Sequence, residues 1–234
     1  MKALVYRAPE EFAIEDVPVP TVDHETRDAT AADATELAKL LYLAGRSQVE
    51  TSIYDLMITG PPGMTDDRIA QMARIIAADK PSWLSYRYYH VIEVDGKVAS
   101  GLATFTIEQA GNKQLGKAMM SQGWGVMAML SMSRRMKIWS KVDPGREPGY
   151  LIVENVATFE DYRGNGFAAE LLDLAAALGR DSGYKGLQLT VLIGNDPAIM
   201  AYEKAGFKVS KTRENKKFEQ AFLCPGAAQM LLKL

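Results

Sequence analysis

Cysteine is nearly absent from this chain, with Cys224 the one example. That excludes an intrachain disulfide framework and a zinc site built on several cysteines, and a lone thiol fits a reducing compartment. Histidine is equally scarce. His24 and His90 stand far apart, with no ligand-type spacing around either, so no metal is expected. A dominant charge sign is also missing: 27 Lys and Arg against 29 Asp and Glu leave a formal net charge of −2. That argues against a nucleic-acid partner held by a global positive field. Long apolar runs are missing too. The most apolar central stretch, 123–132, is too short to span a bilayer and runs into Arg134-Arg135, so no membrane partner is expected. Near the start, Glu10, Glu11, Glu15 and Asp16 interrupt anything resembling a signal peptide. The expectation is a cytoplasmic protein.

What is present is the composition of a folded core, 47% apolar and 24% charged over 234 residues. Residues 1–25 read as an N-terminal extension: two short strand-like pieces, 2–6 and 12–14, then Pro18 and Pro20 imposing an extended link. A helix start follows at Thr30 with Asp33 three residues on, close to a capping box. Ala34, Leu37, Leu40, Leu41 and Ala44 then repeat at helical spacing. Thr65 or Asp66 can cap a second helix through Ile69, Met72 and Ile76. Residues 86–94 and 97–107 are rich in β-branched and aromatic residues around Asp95-Gly96, the dipeptide of a tight hairpin.

Residues 109–148 form an insertion in the 26–234 domain, crowded with methionines. They admit two readings: an amphipathic helix packed on a sheet, or a cap lining a ligand pocket, since methionine surfaces adapt to varied shapes. Thereafter the pattern is strand (150–157), helix (from 166), strand (187–193), short helix (196–205) closed by Gly206, and closing strands at 207–210 and 229–234. Lys208, Lys211, Arg213, Lys216 and Lys217 form a basic stretch whose default reading is a solvated loop.

The chemistry concentrates at Arg163-Gly164-Asn165-Gly166-Phe167-Ala168, between a strand and a helix. A helix N-terminus offers unpaired backbone N–H groups and a positive dipole end, and glycine lets a pyrophosphate approach the backbone closely. A tight turn needing glycine for its dihedral angles would look the same. The three spaced glycines of a dinucleotide fingerprint and the Gly-Lys-Ser/Thr of a Walker loop are both lacking.

This segment resembles the coenzyme A-binding motif of the GNAT superfamily of N-acetyltransferases, Arg/Gln-x-x-Gly-x-Gly/Ala, with Arg163, Gly166 and Ala168 at its fixed positions. Asn155-Val156-Ala157-Thr158 resembles the family strand entering that turn. Asn195, Ala198, Tyr202-Glu203-Lys204 and Gly206-Phe207 resemble its second signature. The resemblance implies an α/β fold: a twisted, mostly antiparallel sheet splayed in a V at its centre and flanked by helices. It implies acetyl transfer from acetyl-coenzyme A to a primary amine of a small molecule or peptide, by direct attack. A coenzyme-binding protein without catalysis is the alternative.

Carried over residue by residue, backbone N–H groups from Gly164 to Ala168 would hold the pyrophosphate. Val156, Ala157 and Thr158 would flank the pantetheine arm, and Asn195, alternatively a plain helix cap, would hydrogen-bond the coenzyme. Tyr202, alternatively a core residue beside Ile199 and Phe207, would protonate the departing thiolate. Glu154, alternatively an ordinary strand residue, is the candidate base; some members carry Glu-Asp where this chain has Glu154-Asn155. Cys224 reads as an inert thiol rather than a nucleophile. The basic stretch is alternatively a contact for the coenzyme's ribose phosphate or an acidic acceptor. A homodimer is compatible with this picture. Separately, Met1-Lys2-Ala3-Leu4-Val5-Tyr6 and Glu15-Asp16-Val17-Pro18-Val19-Pro20 resemble the opening of zinc-type medium-chain dehydrogenases, without that family's zinc cysteines or nicotinamide glycines.

Overall fold

The computed structural model describes residues 2–8, 11–16, 22–46, 51–61, 63–109 and 111–234, with side chains from residue 22 onward. The two N-terminal pieces form a hairpin of their own, β1 (Lys2–Ala8) against antiparallel β2 (Glu11–Asp16). Pro18 and Pro20, the expected extended link, lie outside the described residues.

The main sheet begins with β3 (Glu25–Asp28). The Thr30/Asp33 pair then works as expected: the Thr30 backbone N–H donates to the Asp33 carboxylate at 2.7 Å, and a short 3-10 turn leads into α1 (Ala34–Ala44). Thr65 caps α2 (Asp66–Ile76), its hydroxyl accepting from the Arg68 N–H at 3.3 Å. The hairpin β4 (Tyr89–Val94) and β5 (Lys97–Phe105) turns through Asp95 (φ 48°) and Gly96 (φ 74°). Two left-handed residues in a row give a turn whose twist matches its strands. Residues 86–88 coil into a 3-10 turn, so β4 starts later than the residue pattern suggested.

The insertion is two helices, α3 (Asn112–Ser121) and α4 (Val126–Met136), not one. The break is at Gly123, whose φ of 87° no continuing helix can hold. β6 (Tyr150–Thr158), α5 (Phe167–Asp181), β7 (Gly186–Leu192) and α6 (Asp196–Lys204) follow as expected. The basic stretch is corrected. Lys208 to Arg213 belong to β8 (Lys208–Glu214), and Lys216 and Lys217 open α7 (Lys216–Phe222) before the final strand β9 (Gly226–Lys233). β8 is the exposed edge of the sheet, where a row of charges discourages pairing with another chain. Asn215 starts α7 by accepting from the N–H groups of Lys217 and Phe218, and Phe218 and Phe222 bury one face of that helix.

The seven strands run β3-β4-β5-β6-β7-β9-β8, antiparallel throughout except for β6 beside β7. One apolar cluster gathers α1, α2 and α3 against β4 and β5, and a second gathers α5 and Tyr202 of α6 against β6, β7 and β9. A third, smaller cluster lies under α7. Cys224 is buried there with its sulfur 3.1 Å from the backbone carbonyls of Ile193 and Gly226. Among the described residues no group of three or more His, Cys, Asp or Glu side chains is placed to hold a metal, and no helix is long and apolar enough to cross a membrane.

One ion-pair cluster ties the sheet edge to the α1 entrance. The Arg27 guanidinium on β3 makes a two-pronged contact with Asp33, 2.9 Å to each oxygen, and also reaches Glu93 of β4 at 2.6 Å. That guanidinium holds the Asp33 carboxyl down at about 2. A depressed carboxyl stabilises the fold above its unfolded value and loses that contribution as pH falls through its folded one. Asp33→Asn should therefore lower the melting temperature at pH 7, by removing charge-assisted hydrogen bonds worth roughly 1–3 kcal/mol. The gap to the parent protein should close between about pH 4 and pH 2, as thermal unfolding followed by circular dichroism across that range would register.

Candidate active site

The parallel pair at the centre of the sheet is short. β6 meets β7 only at Tyr150, Leu151 and Ile152, opposite Gly186, Leu187 and Gln188. Beyond that, β6 stays on β5 as far as Thr158, and β7 stays on β9 as far as Leu192. The strands part, and a cavity of about 1030 Å³ opens between them. Val156, Ala157 and Thr158 line one side of it, Val191 and Leu192 the other. The diverging edges leave backbone donors and acceptors without a strand partner, which is where an extended, amide-bearing ligand can lie.

A turn between β6 and α5 lies at the open end of this cleft. Gly164 (φ 85°) and Gly166 (φ 83°) are both left-handed, and a Cβ on either would meet nothing within 4 Å. Among the described residues the backbone N–H groups from Gly164 to Ala168 donate to no protein group, while those of Ala169 and Glu170 already bond back to Gly166. Consecutive free donors at a helix N-terminus over open space suit a pyrophosphate. Asn165 closes the turn, its side chain donating to the Tyr162 carbonyl at 2.9 Å. Phe167 offers its backbone only: its ring is buried in the second core cluster, 4.9 Å from the His24 ring. Arg163 is exposed and lines the cavity together with Ala168, its Nε 3.5 Å from the Thr158 carbonyl.

Asn195 occupies the N-cap position of α6, yet its side chain makes no capping hydrogen bond and lines the cavity instead. Tyr202 is both a core residue and a cavity-lining one. Its ring belongs to the second core cluster, tilted 59° against Phe207 at 6.1 Å, and it also lines the cavity. Burial pushes its phenol up to about 12. Glu154 lines the same cavity, its side chain 17% exposed and ion-paired with Arg146. Burial raises its carboxyl above the usual range; Arg146 pulls it back, and nearby Asp143 adds to the rise.

Sequence reasoning passed over what holds this arrangement. Asn155, noted as part of the strand entering the turn and as a departure from the Glu-Asp of some family members, is left-handed at φ 56° in the middle of β6. Opposite Gly101 and Ala103 of β5 stand Ala157 and Glu154, so β6 carries one extra residue, a β-bulge. Two buried phenols hold it: Tyr54 donates to the Asn155 Oδ1 at 2.5 Å, and the Asn155 Nδ2 donates to the Tyr89 hydroxyl at 2.9 Å. Burial raises both phenols well above their ordinary value, so they stay protonated. Tyr54 sits on a 3-10 turn, Ile53–Leu56, that is itself anchored. Within that turn, Asp55 accepts from the Tyr42 hydroxyl and the Ser52 N–H, each at 2.8 Å, and the buried Arg68 guanidinium lies 2.9 Å from it. An asparagine inside an apolar strand is the one sequence trace of this, since asparagine tolerates the left-handed region better than most residues. The contribution of Arg146 left no trace.

Replacing Asn155 separates backbone strain from side-chain bonding. Asn155→Gly keeps the left-handed conformation and loses the two hydrogen bonds, while Asn155→Ala loses both bonds and also strains the backbone, by about 1–2 kcal/mol. In urea titrations the Ala variant should unfold before the Gly variant, and both before the parent; an Ala variant as stable as Gly would overturn the strain assignment.

The comparisons with known proteins agree with the geometry. The model of the acetyltransferase (GNAT) family matches residues 69–207, more than half of the chain. Among solved structures, an acetyltransferase superposes with a TM-score of 0.63 at 20% identity, covering 89% of this chain and 98% of its own. An N-acetyltransferase from Staphylococcus aureus Mu50 gives 0.62 at 19%, covering 89% and 100%. A GCN5-related N-acetyltransferase from Kribbella flavida gives 0.52 at 16%, covering 90% and 98%. No curated protein matches the chain. With a split central sheet, a free-donor turn at the α5 N-terminus and a family model spanning both, this chain belongs to the GNAT family of acetyltransferases and is an acyltransferase.

Proposed function

We propose that the protein transfers an acetyl group from acetyl-coenzyme A to a primary amine by direct attack in a ternary complex. The observation that carries this is that one cavity reaches the α5 N-terminus, the unpaired edge of β6, Glu154, Asn195 and Tyr202 together. The residues fit the donor. The N–H groups of 164–168 take the pyrophosphate, Arg163 adds a positive charge at the mouth, and the backbone of 156–158 runs beside the amide-bearing arm. When bound, acetyl-coenzyme A supplies a thioester activated for attack by nitrogen.

The chain's own groups handle the protons. An amine near its ordinary pKa of about 10.4 is protonated at neutral pH and must lose a proton before it attacks. Glu154 accepts it, directly or through a water. Its raised carboxyl is a better base than a solvated one, and Arg146 holds it in place. Tyr202 faces the opposite demand. A thiolate of pKa about 8.5 leaves, and full transfer from a phenol held up at about 12 is uphill by about 5 kcal/mol. The phenol therefore serves best by donating a hydrogen bond as charge develops on sulfur, while the proton itself comes from the ammonium formed in the attack.

Three outcomes follow. Tyr202→Phe should lower kcat by about 10–100-fold with little change in acetyl-coenzyme A affinity; unchanged turnover would sink its role. Gly166→Val places a branched side chain at φ 83° over the donor row and should abolish coenzyme binding in calorimetry; retained affinity rejects the phosphate turn. Because Glu154 works in its ionised form and its pKa is raised, kcat/KM should climb with pH above the ordinary carboxylate range. Glu154→Gln should remove that limb and leave only the titration of the amine.

A further inference from the structure

The cavity extends well past the α5 N-terminus and the edge of β6. At about 1030 Å³ it stands at the top of the roughly 300–1,000 Å³ usual for small-ligand sites. The half beyond Glu154 has a composition of its own. Met57, Trp83, Phe105, Met129, Met132 and Met136 give it a large apolar wall, from the end of the Ile53–Leu56 turn, the approach to β4, the end of β5 and one face of α4, with the smaller polar side chains of Asn112, Ser133 and Ser140 beside them. On α4 the three methionines are spaced three and four residues apart, one stripe along the helix. No residue of α4 is buried, so this stripe faces the cavity without being sealed by protein. The helix is held by the Arg135 guanidinium, which donates to the carbonyls of Leu56 (2.9 Å) and Met57 (3.2 Å). The reading of residues 109–148 as a cap over a ligand pocket is the one this geometry favours.

Charge in this half is sparse and already committed. Lys137, Asp143, Arg146, Glu154 and Arg163 are the charged residues lining the cavity among the described residues, and Arg163 belongs to the donor end. Arg146 is surrounded by acceptors: Glu154, Asp143 at 3.7 Å, the Thr190 hydroxyl at 3.2 Å and the Gly145 carbonyl at 3.4 Å. It has little left to offer a substrate carboxylate. Lys137 is exposed at the rim. Two carboxylates sharing one guanidinium can receive a single ammonium, not a string of them. A polar backbone or sugar ring laid on methionine and tryptophan would lose its hydrogen bonds to water without replacement.

Resting on the acetyltransferase reading above, we propose that the acceptor is an apolar primary amine: one ammonium, directed to Glu154 and Asp143, on an aromatic or hydrocarbon body packed against the methionine wall. Soft thioether side chains suit such a body, because they follow varied outlines and make favourable contacts with ring edges.

The experiment measures coenzyme A release with a thiol reagent, at saturating acetyl-coenzyme A, over propyl-, butyl-, pentyl- and hexylamine, phenethylamine, spermidine and a lysine-containing tetrapeptide. Each added methylene should raise kcat/KM by about three- to fourfold. Phenethylamine should exceed spermidine and the peptide by at least tenfold. Met129→Gln and Met136→Gln, on a helix with no buried residue, should flatten the alkyl series while the acetyl-coenzyme A Kd from calorimetry stays within twofold; circular dichroism checks that both variants are folded. A flat series with spermidine or the peptide preferred overturns the apolar acceptor and leaves the acetyltransferase reading standing. Acetyl-coenzyme A binding with no turnover of the apolar amines also overturns it. Failure to bind acetyl-coenzyme A at all rejects the underlying reading, and this inference with it.

Discussion

The site depends on the two hydrogen bonds between Asn155 and the buried phenols of Tyr54 and Tyr89. An asparagine in the left-handed region of a strand costs about 1 kcal/mol, and two satisfied bonds to buried hydroxyls, at about 0.5–1.5 kcal/mol each, offset it. The return is geometric. One extra residue in β6 bends the strand away from β7 after three paired positions, and the cleft exists because of that departure. The same three-residue arrangement reaches across layers. Tyr54 comes from the α1–α2 connection and Tyr89 from the first residue of β4, so the helical layer is registered to the strand that carries Glu154.

Further support runs outward from Tyr54. Its turn is secured by Asp55, which gathers Tyr42 of α1 and Arg68 of α2. Arg68 is 1% exposed, and its guanidinium also donates to the carbonyls of Pro61 and Ile58, so a charge that would be costly alone is met by oxygen on several sides. Helix entry, loop and bulge thus form one chain of contacts. Its far end is the backbone of 156–158, which flanks the cavity.

The turn at the α5 N-terminus and the helix that follows β7 were legible from the residues because their demands are local. Glycine at a left-handed turn, an N-terminus of a helix and an Asn/Tyr helix have to be encoded within a few positions of one another, and 163–168 and 195–207 encode them. Phe167 shows the limit: a residue inside the motif puts its ring in the core and leaves only its backbone for a ligand. The bulge, by contrast, depends on residues about 66 and 101 positions away from Asn155, and no short-range pattern can report such partners. The Glu154–Arg146 pair is near in sequence but bridges a strand and the irregular segment before it, where spacing carries no periodic signal. The two-helix insertion was hidden because its methionines satisfy a helical pattern on either side of Gly123. The single left-handed glycine decides where the pattern breaks.

The methionine wall and the Gly164–Gly166 turn stand on different parts of the chain. The wall stands on α4, the end of β5 and the loops before β4, and the turn stands on α5. Substitutions at the exposed positions of α4, which has no buried residue, can reshape the lining of the cavity while leaving the turn at the α5 N-terminus intact. Change at those exposed positions costs the fold little, so one end of the cavity is free to vary in shape while the other stays as it is.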